Sequence, residues 1–391
     1  MTQGAGNSRT GSSSFLIHLL PIPVRMGVLE KIKELEDEIL RTQKNKATEY
    51  HLGLLKAKIA KYRRVLIEKS SGGGGGGGFD VSKSGDATVA LIGFPSVGKS
   101  TILNNITNAN SKMAAYAFTT LTVIPGMLNY KESEIQILDL PGIIEGAKEG
   151  KGRGKEIIGV ARSSDVIMII LTPYNAEKEF NTITRELTGM GIRLNDSPPD
   201  INIEKRARGG LSIIKTKKNI KIDNKTVFAV FNEYGMHNAV VVIREDVNVD
   251  RLIDSIEKNR TYKRMVVCIN KIDLADDKTR KELREKFKDA VFVSATDQKG
   301  TEDLKEKLFK SLNFIRLYMK PLGGKPDMDK PLMMKEGCSV GEAARKIHRE
   351  IATNMKYALI WGPSAKFSGQ RVGLDHRLKD GDIITFVAKN H

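Results

Sequence analysis

The sequence predicts an α/β fold, a mostly parallel sheet with helices on both faces, and three observations carry that expectation. Residues 87–92 form an apolar run, Ala-Thr-Val-Ala-Leu-Ile, that enters the glycine loop Gly93–Ser100 and then a helical stretch from Thr101 to Ile106. Two further apolar runs, Ile135–Asp139 and Met265–Ile269, also end in polar motifs. Strands buried on both faces read as continuous apolar runs, and their carboxyl ends are where such sheets bind ligands. Between the runs lie helical patterns such as Glu177–Met190 and Leu304–Phe314.

The elements follow in order. Residues 1–25 are rich in Ser, Gly and Thr and read as a disordered extension or an appended scar, with Met26 as the natural start. The apolar stretch Phe15–Val24 is short, broken by prolines and without a charged leader, so a signal peptide is rejected. Residues 26–71 read as a helical hairpin of helix-turn-helix type. Val28, Leu29, Ile32, Leu35 and Ile39 have helical spacing, as do Leu52, Leu55, Ile59, Tyr62 and Leu66. Its basic edge, Lys56, Lys58, Lys61, Arg63 and Arg64, suits a partner or RNA; the alternative is a hairpin packed on the main domain. Residues 72–86, with seven consecutive glycines, are a linker that can hold neither helix nor strand.

The main domain is expected over 87–318. Its stretch from Val166–Leu171 to Asn270 is longer than one helix requires, so about 192–248 reads as an inserted α+β subdomain. Ile201–Ile203, Leu211–Ile214, Lys221–Phe231 and Asn238–Ile243 look like its strands, and Val249–Arg260 like a helix returning to the core. Lys205, Arg206, Arg208, Lys215, Lys217 and Lys218 would form a basic patch there, for RNA or simply as a solvated edge. Residues 319–391 alternate strand and helix patterns, which suits a small β-grasp unit.

The chemistry is concentrated in the loops. Gly93-Phe-Pro-Ser-Val-Gly-Lys-Ser100 is a phosphate loop: glycines let backbone N–H groups face a polyphosphate, Lys99 adds charge and Ser100 holds Mg²⁺. Gly93, Phe94, Pro95, Ser96, Val97, Gly98, Lys99, Ser100 and Thr101 are the candidate phosphate-binding residues. Asn270-Lys271-Ile272-Asp273 at a strand end suits guanine. The Asp273 carboxylate accepts from the ring N1–H and the exocyclic amine, a pair that adenine does not offer, and a site so built rejects a base that leaves it unpaired. Asn270 would tie loops together, the Lys271 stem would cover the base, and Ser294, Ala295 and Thr296 would close the pocket.

Asp139-Leu-Pro-Gly142 supplies a carboxylate to hold Mg²⁺ through water and a Gly142 N–H for the γ-phosphate. Phe118, Thr119 and Thr120 lie where a first switch should, with one threonine reaching Mg²⁺. Lys99, a switch threonine and Gly142 are thus the catalytic candidates. Position 143 is Ile, where Ras-type GTPases carry the glutamine that orients the attacking water. Slow turnover is therefore expected, with stimulation by K⁺ or a partner. An ATPase is the rival reading, and Asp273 argues against it. A nucleotide-bound scaffold, whose hydrolysis has no role, is a second.

The motifs Gly93–Thr101, Tyr116–Gly126 and Asp139–Ala147, with the glycine run and Phe79–Asp86, resemble the DRG branch of the Obg/DRG GTPases over roughly residues 26–391. The resemblance implies a translation-associated GTPase with a helical N-terminal segment, an insert and a C-terminal TGS domain. It further implies that Thr120, second of the pair, holds Mg²⁺, and that an apolar residue at 143 is ordinary. Some relatives place K⁺ beside the phosphates, often with an Asn where Ser96 stands here, so K⁺ is a second candidate ion.

Composition bounds the partners. The 391 residues carry a net charge of +17, which favours a polyanion such as a ribosome or structured RNA, and a regulatory protein is a further candidate partner. Aromatics are only 6%, so a stacking platform is not evident. No apolar run reaches a membrane span, and neither a membrane nor DNA is expected as a partner. Two distant cysteines, Cys268 and Cys338, suit a reducing cytoplasm.

Overall fold

The structure, a computed structural model, describes residues 27–45, 48–71, 84–107, 124–140, 159–257 and 259–389. The expected N-terminal extension, residues 72–83 of the expected linker, the first switch (118–120) and Gly142–Gly154 lie outside the described residues.

Seven strands build the central sheet. β1 (Ala87–Ile92), β3 (Ser133–Asp139), β4 (Val166–Leu171), β5 (Ile192–Leu194), β9 (Thr261–Ile269) and β10 (Val291–Phe292) pair in parallel, and β2 (Ile124–Tyr130) runs antiparallel along β3. The order is β10-β9-β4-β1-β3-β2, with β5 also on β9. All six residues of β1 and of β4 are buried, because helices cover both faces. Val89, Leu91, Met168 and Ile170 meet α3 (Lys99–Ile106) and α8 (Thr301–Leu312) on one side. Ala90, Ile92, Ile167 and Ile169 meet α4 (Ala176–Gly189) and Leu283 of α7 (Asp277–Lys286) on the other.

The insert is a three-stranded sheet, β6 (Ile201–Lys205), β8 (Ala239–Ile243) and β7 (Leu211–Lys215) in that order, covered by helices on one face. Three readings are corrected here. Residues 224–233 form a helix, α5, where a strand was expected: Thr226, Val227, Val230 and Phe231 are buried at helical spacing, and packing overrides their β propensity. The helix α6 (Val249–Ile256) packs Val249, Leu252 and Ile253 into the insert's own core instead of returning to the main sheet. The basic residues do not form one patch. Lys205, Arg206 and Arg208 sit at one end of the sheet, Lys217 and Lys218 at the other, and Lys215 turns inward to donate to Ile222 O at 2.5 Å.

The hairpin, α1 (Val28–Arg41) and α2 (Glu49–Ser71), rests chiefly on the helices of this insert. A Cβ on Gly53 would stand 3.0 Å from Thr226 Cγ2, and Ala57 is fully buried in the insert core. Its basic edge is partly committed to the protein: Lys56 pairs with Asp250 at 2.6 Å, Lys61 with Glu233 at 3.6 Å and Arg63 with Glu36 at 2.5 Å. At the joint, the buried Asp254 receives Arg193 Nε at 2.5 Å and Arg260 Nε at 2.8 Å.

The C-terminal unit is a five-stranded sheet, β12 (Leu332–Lys335), β11 (Phe314–Met319), β15 (Asp382–Ala388), β13 (Met355–Trp361) and β14 (Gln370–Val372), with α9 (Val340–Ile347) on one face. β11 is its second strand, so this unit begins before residue 319, where the sequence had suggested. α9 opens on a capping box between Ser339 and Glu342. Among the described residues no helix is long and apolar enough to cross a membrane.

Candidate nucleotide site

The site lies at the carboxyl ends of β1, β3 and β9. The chain must turn from β1 into α3 within six residues while touching the neighbouring strand, which explains its glycines. A Cβ on Gly93 would fall 2.7 Å from Ile170 O, and one on Gly98 (φ 92°) would collide with Asn270 Nδ2. Ser96 also takes a positive φ, 61°, while Val97 is buried and anchors the loop in the core. Lys99 Nζ donates to Gly93 O and Phe94 O, both at 3.0 Å, so its ammonium spans the mouth of the loop.

Ser100 Oγ donates to Asp139 Oδ2 at 2.8 Å. Asp139 is only 4% exposed, and its other oxygen, Oδ1, is buried without a hydrogen-bond partner among the described residues. A buried carboxylate oxygen left unpaired is costly, and a hydrated cation would satisfy it. Ser100 and Asp139 therefore fit Mg²⁺ held by a hydroxyl and, through water, by a carboxylate. Among the described residues no cluster of three or more His, Cys, Asp or Glu could hold a metal by itself, so phosphate oxygens would complete the shell.

The base side is bound to the phosphate side by one buried amide. Asn270 Nδ2 donates to Val97 O at 2.9 Å, and its Oδ1 accepts from Ala295 N at 3.1 Å. Lys271, at φ 60°, donates from Nζ to Ser96 O at 2.8 Å, so its stem crosses between the two loops. Asp273 is exposed on a 3₁₀ turn, Ile272–Leu274. Ser294 and Ala295 are buried, and Thr296 is exposed beside them.

The described site thus gathers Gly93–Thr101, Asp139, Asn270, Lys271, Asp273 and Ser294–Thr296. Phe118, Thr119, Thr120 and Gly142 lie outside the described residues. Two contributors were not found by sequence reasoning. Asn105 Nδ2 donates to Ala295 O, tying α3 to the base loop; its signal was an amide on the half-buried side of an otherwise apolar helix face. Arg280 donates from Nε to Ile272 O at 3.2 Å and from Nη2 to Asp273 O at 3.4 Å, which steadies the turn that carries Asp273.

Three family models match this chain. One described as a 50S ribosome-binding GTPase covers residues 88–205, the C-terminal region of that same domain covers 208–314, and a TGS domain covers 315–388. The chain is 48% identical over 368 residues to the GTP-binding protein MJ1326 of Methanocaldococcus jannaschii, covering 93% of this chain and 94% of the other. It is 47% identical over 365 residues to developmentally-regulated GTP-binding protein 2 of Homo sapiens, covering 93% of this chain and all (100%) of the human one. The chain belongs to the developmentally regulated GTP-binding (DRG) family. This DRG protein is accordingly a GTP-binding protein with a GTPase domain and a C-terminal TGS domain, as the motifs led one to expect.

Proposed function

We propose that this DRG protein binds GTP with Mg²⁺, hydrolyses it slowly to GDP and phosphate with K⁺ stimulation, and docks on the ribosome according to its nucleotide. The observation that carries the nucleotide chemistry is the Asn270 clamp. It fixes the phosphate loop against the base loop, while the unpaired Asp139 oxygen stands beside Ser100.

The residues divide the work. Gly93–Thr101 wrap the phosphates with backbone N–H groups. Lys99 exchanges its two loop carbonyls for phosphate oxygens and opposes the charge that gathers there as the γ-phosphoryl leaves. Asp273 accepts from guanine, Lys271 covers the ring, and Ser294–Thr296 close the pocket. Ser100, Thr120 and, through water, Asp139 hold Mg²⁺, which when bound neutralises the β- and γ-phosphate oxygens. Gly142 reports the γ-phosphate through its N–H. Ile143 can neither donate nor accept, so the attacking water is oriented by another group, and slow turnover follows. The basic net charge of +17 and the ribosome-binding description of the matched family model support the docking reading.

Sedimentation with purified ribosomes tests it, comparing a non-hydrolysable GTP analogue with GDP. Retention that requires the analogue is expected; retention indifferent to nucleotide would leave only a scaffold. Phosphate release measured in K⁺ and then in Na⁺ is expected to be several-fold faster in K⁺, and effective competition by ATP would remove guanine specificity.

A further inference from the structure

The turn that carries Asp273 is held largely by side chains from two other elements. It is a short 3₁₀ stretch, Ile272–Leu274, entered from Lys271 at a positive φ of 60°. None of its three residues is buried. Its own hydrogen bonds, Leu274 N to Lys271 O at 3.1 Å and Ala275 N to Ile272 O at 3.2 Å, have the poorer geometry of a tight turn. One bond, Ile272 N to Val293 O at 3.2 Å, ties it to the loop after β10. Its three successive carbonyls all accept from side chains elsewhere. Arg280 donates from Nε to Ile272 O at 3.2 Å and from Nη2 to Asp273 O at 3.4 Å, and Tyr174 Oη donates to Leu274 O at 2.8 Å.

Both donors stand on fixed supports. Tyr174 lies on the 3₁₀ turn Pro173–Asn175 that follows β4. There the buried carboxylate of Glu179 accepts from Thr172 N and from Thr172 Oγ1, both at 2.8 Å. Arg280 lies near the start of α7, which Asp276 caps by accepting from Thr279 N at 3.2 Å, and its remaining nitrogen, Nη1, donates to Asp277 Oδ1 at 3.3 Å. Tyr174 is 65% exposed and Leu274 is 64% exposed, so burial does not explain where the phenol points; its bond to the Leu274 carbonyl does.

We propose that Tyr174 and Arg280 are positioning residues for the base. Together they clamp the turn so that both oxygens of Asp273 meet guanine at once, and they thereby set the preference for a base that carries an exocyclic amine. One carboxylate bonding the ring N1–H and the amine makes two side-by-side hydrogen bonds, and each weakens steeply as it bends from linear. A tilt of the exposed turn about Lys271 keeps one oxygen in reach of the ring and withdraws the other. Three carbonyls bound from two separate helical elements oppose that tilt. This deepens the reading of Asp273 as the guanine acceptor, on which it rests.

The test compares GDP with inosine diphosphate, whose base keeps the ring N1–H and lacks the amine. Both compete with a fluorescent GDP on the full chain and on variants. Tyr174→Phe removes only the hydroxyl, and Arg280→Met keeps an unbranched stem without its donors. Each should lower the preference for GDP over inosine diphosphate by about threefold or more, and the double variant by about tenfold or more, with the inosine affinity itself moving less than about twofold. Arg280→Lys keeps the charge but not the fork, so it should behave like Arg280→Met. An unchanged preference, a loss shared equally by the two nucleotides, or full recovery with Arg280→Lys would overturn the clamp: the second outcome would mean a merely structural role, the third a role for charge alone. The unaltered protein and Asp273→Ala separate this idea from the one beneath it. A GDP preference that vanishes in Asp273→Ala but survives in the clamp variants removes the clamp and leaves guanine reading by Asp273. Indifference of the unaltered protein to the amine removes both.

Discussion

Asn270 holds three things at once: the phosphate loop at Val97, the base loop at Ala295 and the close approach of Gly98. Asn270→Ala leaves a buried carbonyl and a buried N–H without partners, at a cost of about 1–3 kcal/mol in stability. It should also weaken GDP binding at least tenfold, as a fluorescent-nucleotide titration would read. Asp139 predicts a different signature. Asp139→Asn removes a buried charge with one oxygen unpartnered among the described residues, so melting without nucleotide should stay level or rise slightly, while the gain in GTP affinity on adding Mg²⁺ should largely vanish. These residues were legible because their motifs have fixed spacing and order along the chain. Asn105 and Arg280 were not, because they act through backbone carbonyls brought near only by the fold.

At the scale of elements, paired charges join pieces distant in sequence. Asp254 of α6 accepts from Arg193 and Arg260, with only 3% of its side chain exposed. Asp254→Ala strands two largely buried guanidinium groups and should cost about 3–5 kcal/mol, read as a lower urea midpoint. Glu306 on α8 gathers Lys131 at 2.6 Å, the Tyr130 hydroxyl at 2.9 Å and Lys310 at 3.3 Å. Lys131 first, then Tyr130, hold its carboxyl down from 4.5 to about 2. A depressed acid stabilises the fold above its ordinary pKa and loses that contribution as pH falls from about 4.5 towards 2. Glu306→Gln should therefore lower the melting temperature at pH 7 and flatten its fall in that window, so that the two proteins converge as the pH approaches 2. The buried strands β1 and β4 were readable to the residue because burial on both faces leaves an uninterrupted apolar run. α5 was not: Val227, Phe228, Val230 and Phe231 favour strands locally, and only packing against α2 and the three-stranded sheet makes the helix the better solution.

Across the whole molecule, the C-terminal unit meets the GTPase domain largely through charge. Lys335 pairs with Asp165 and Lys346 with Asp86, beside the tilted Phe309–Phe314 ring contact. Exposed pairs are individually weak and are screened by salt. Lys335→Glu combined with Lys346→Glu should split calorimetric unfolding into two transitions, and high salt should do so partly in the unaltered protein; GDP affinity should not move. The sequence reveals both units but not their contact, since nothing in the local pattern pairs residue 335 with 165.

The shared core of hairpin and insert has a temporal consequence. Ala57 is buried against residues as far along the chain as Ile253, and Lys56 reaches Asp250. A ribosome adding about 5–20 residues per second would take on the order of ten to forty seconds to deliver that far wall. For that interval each nascent hairpin presents its apolar stripe to solvent or to a chaperone. Growth at higher temperature or with trigger-type chaperones depleted should reveal this first, as aggregates formed before synthesis of the chain is complete.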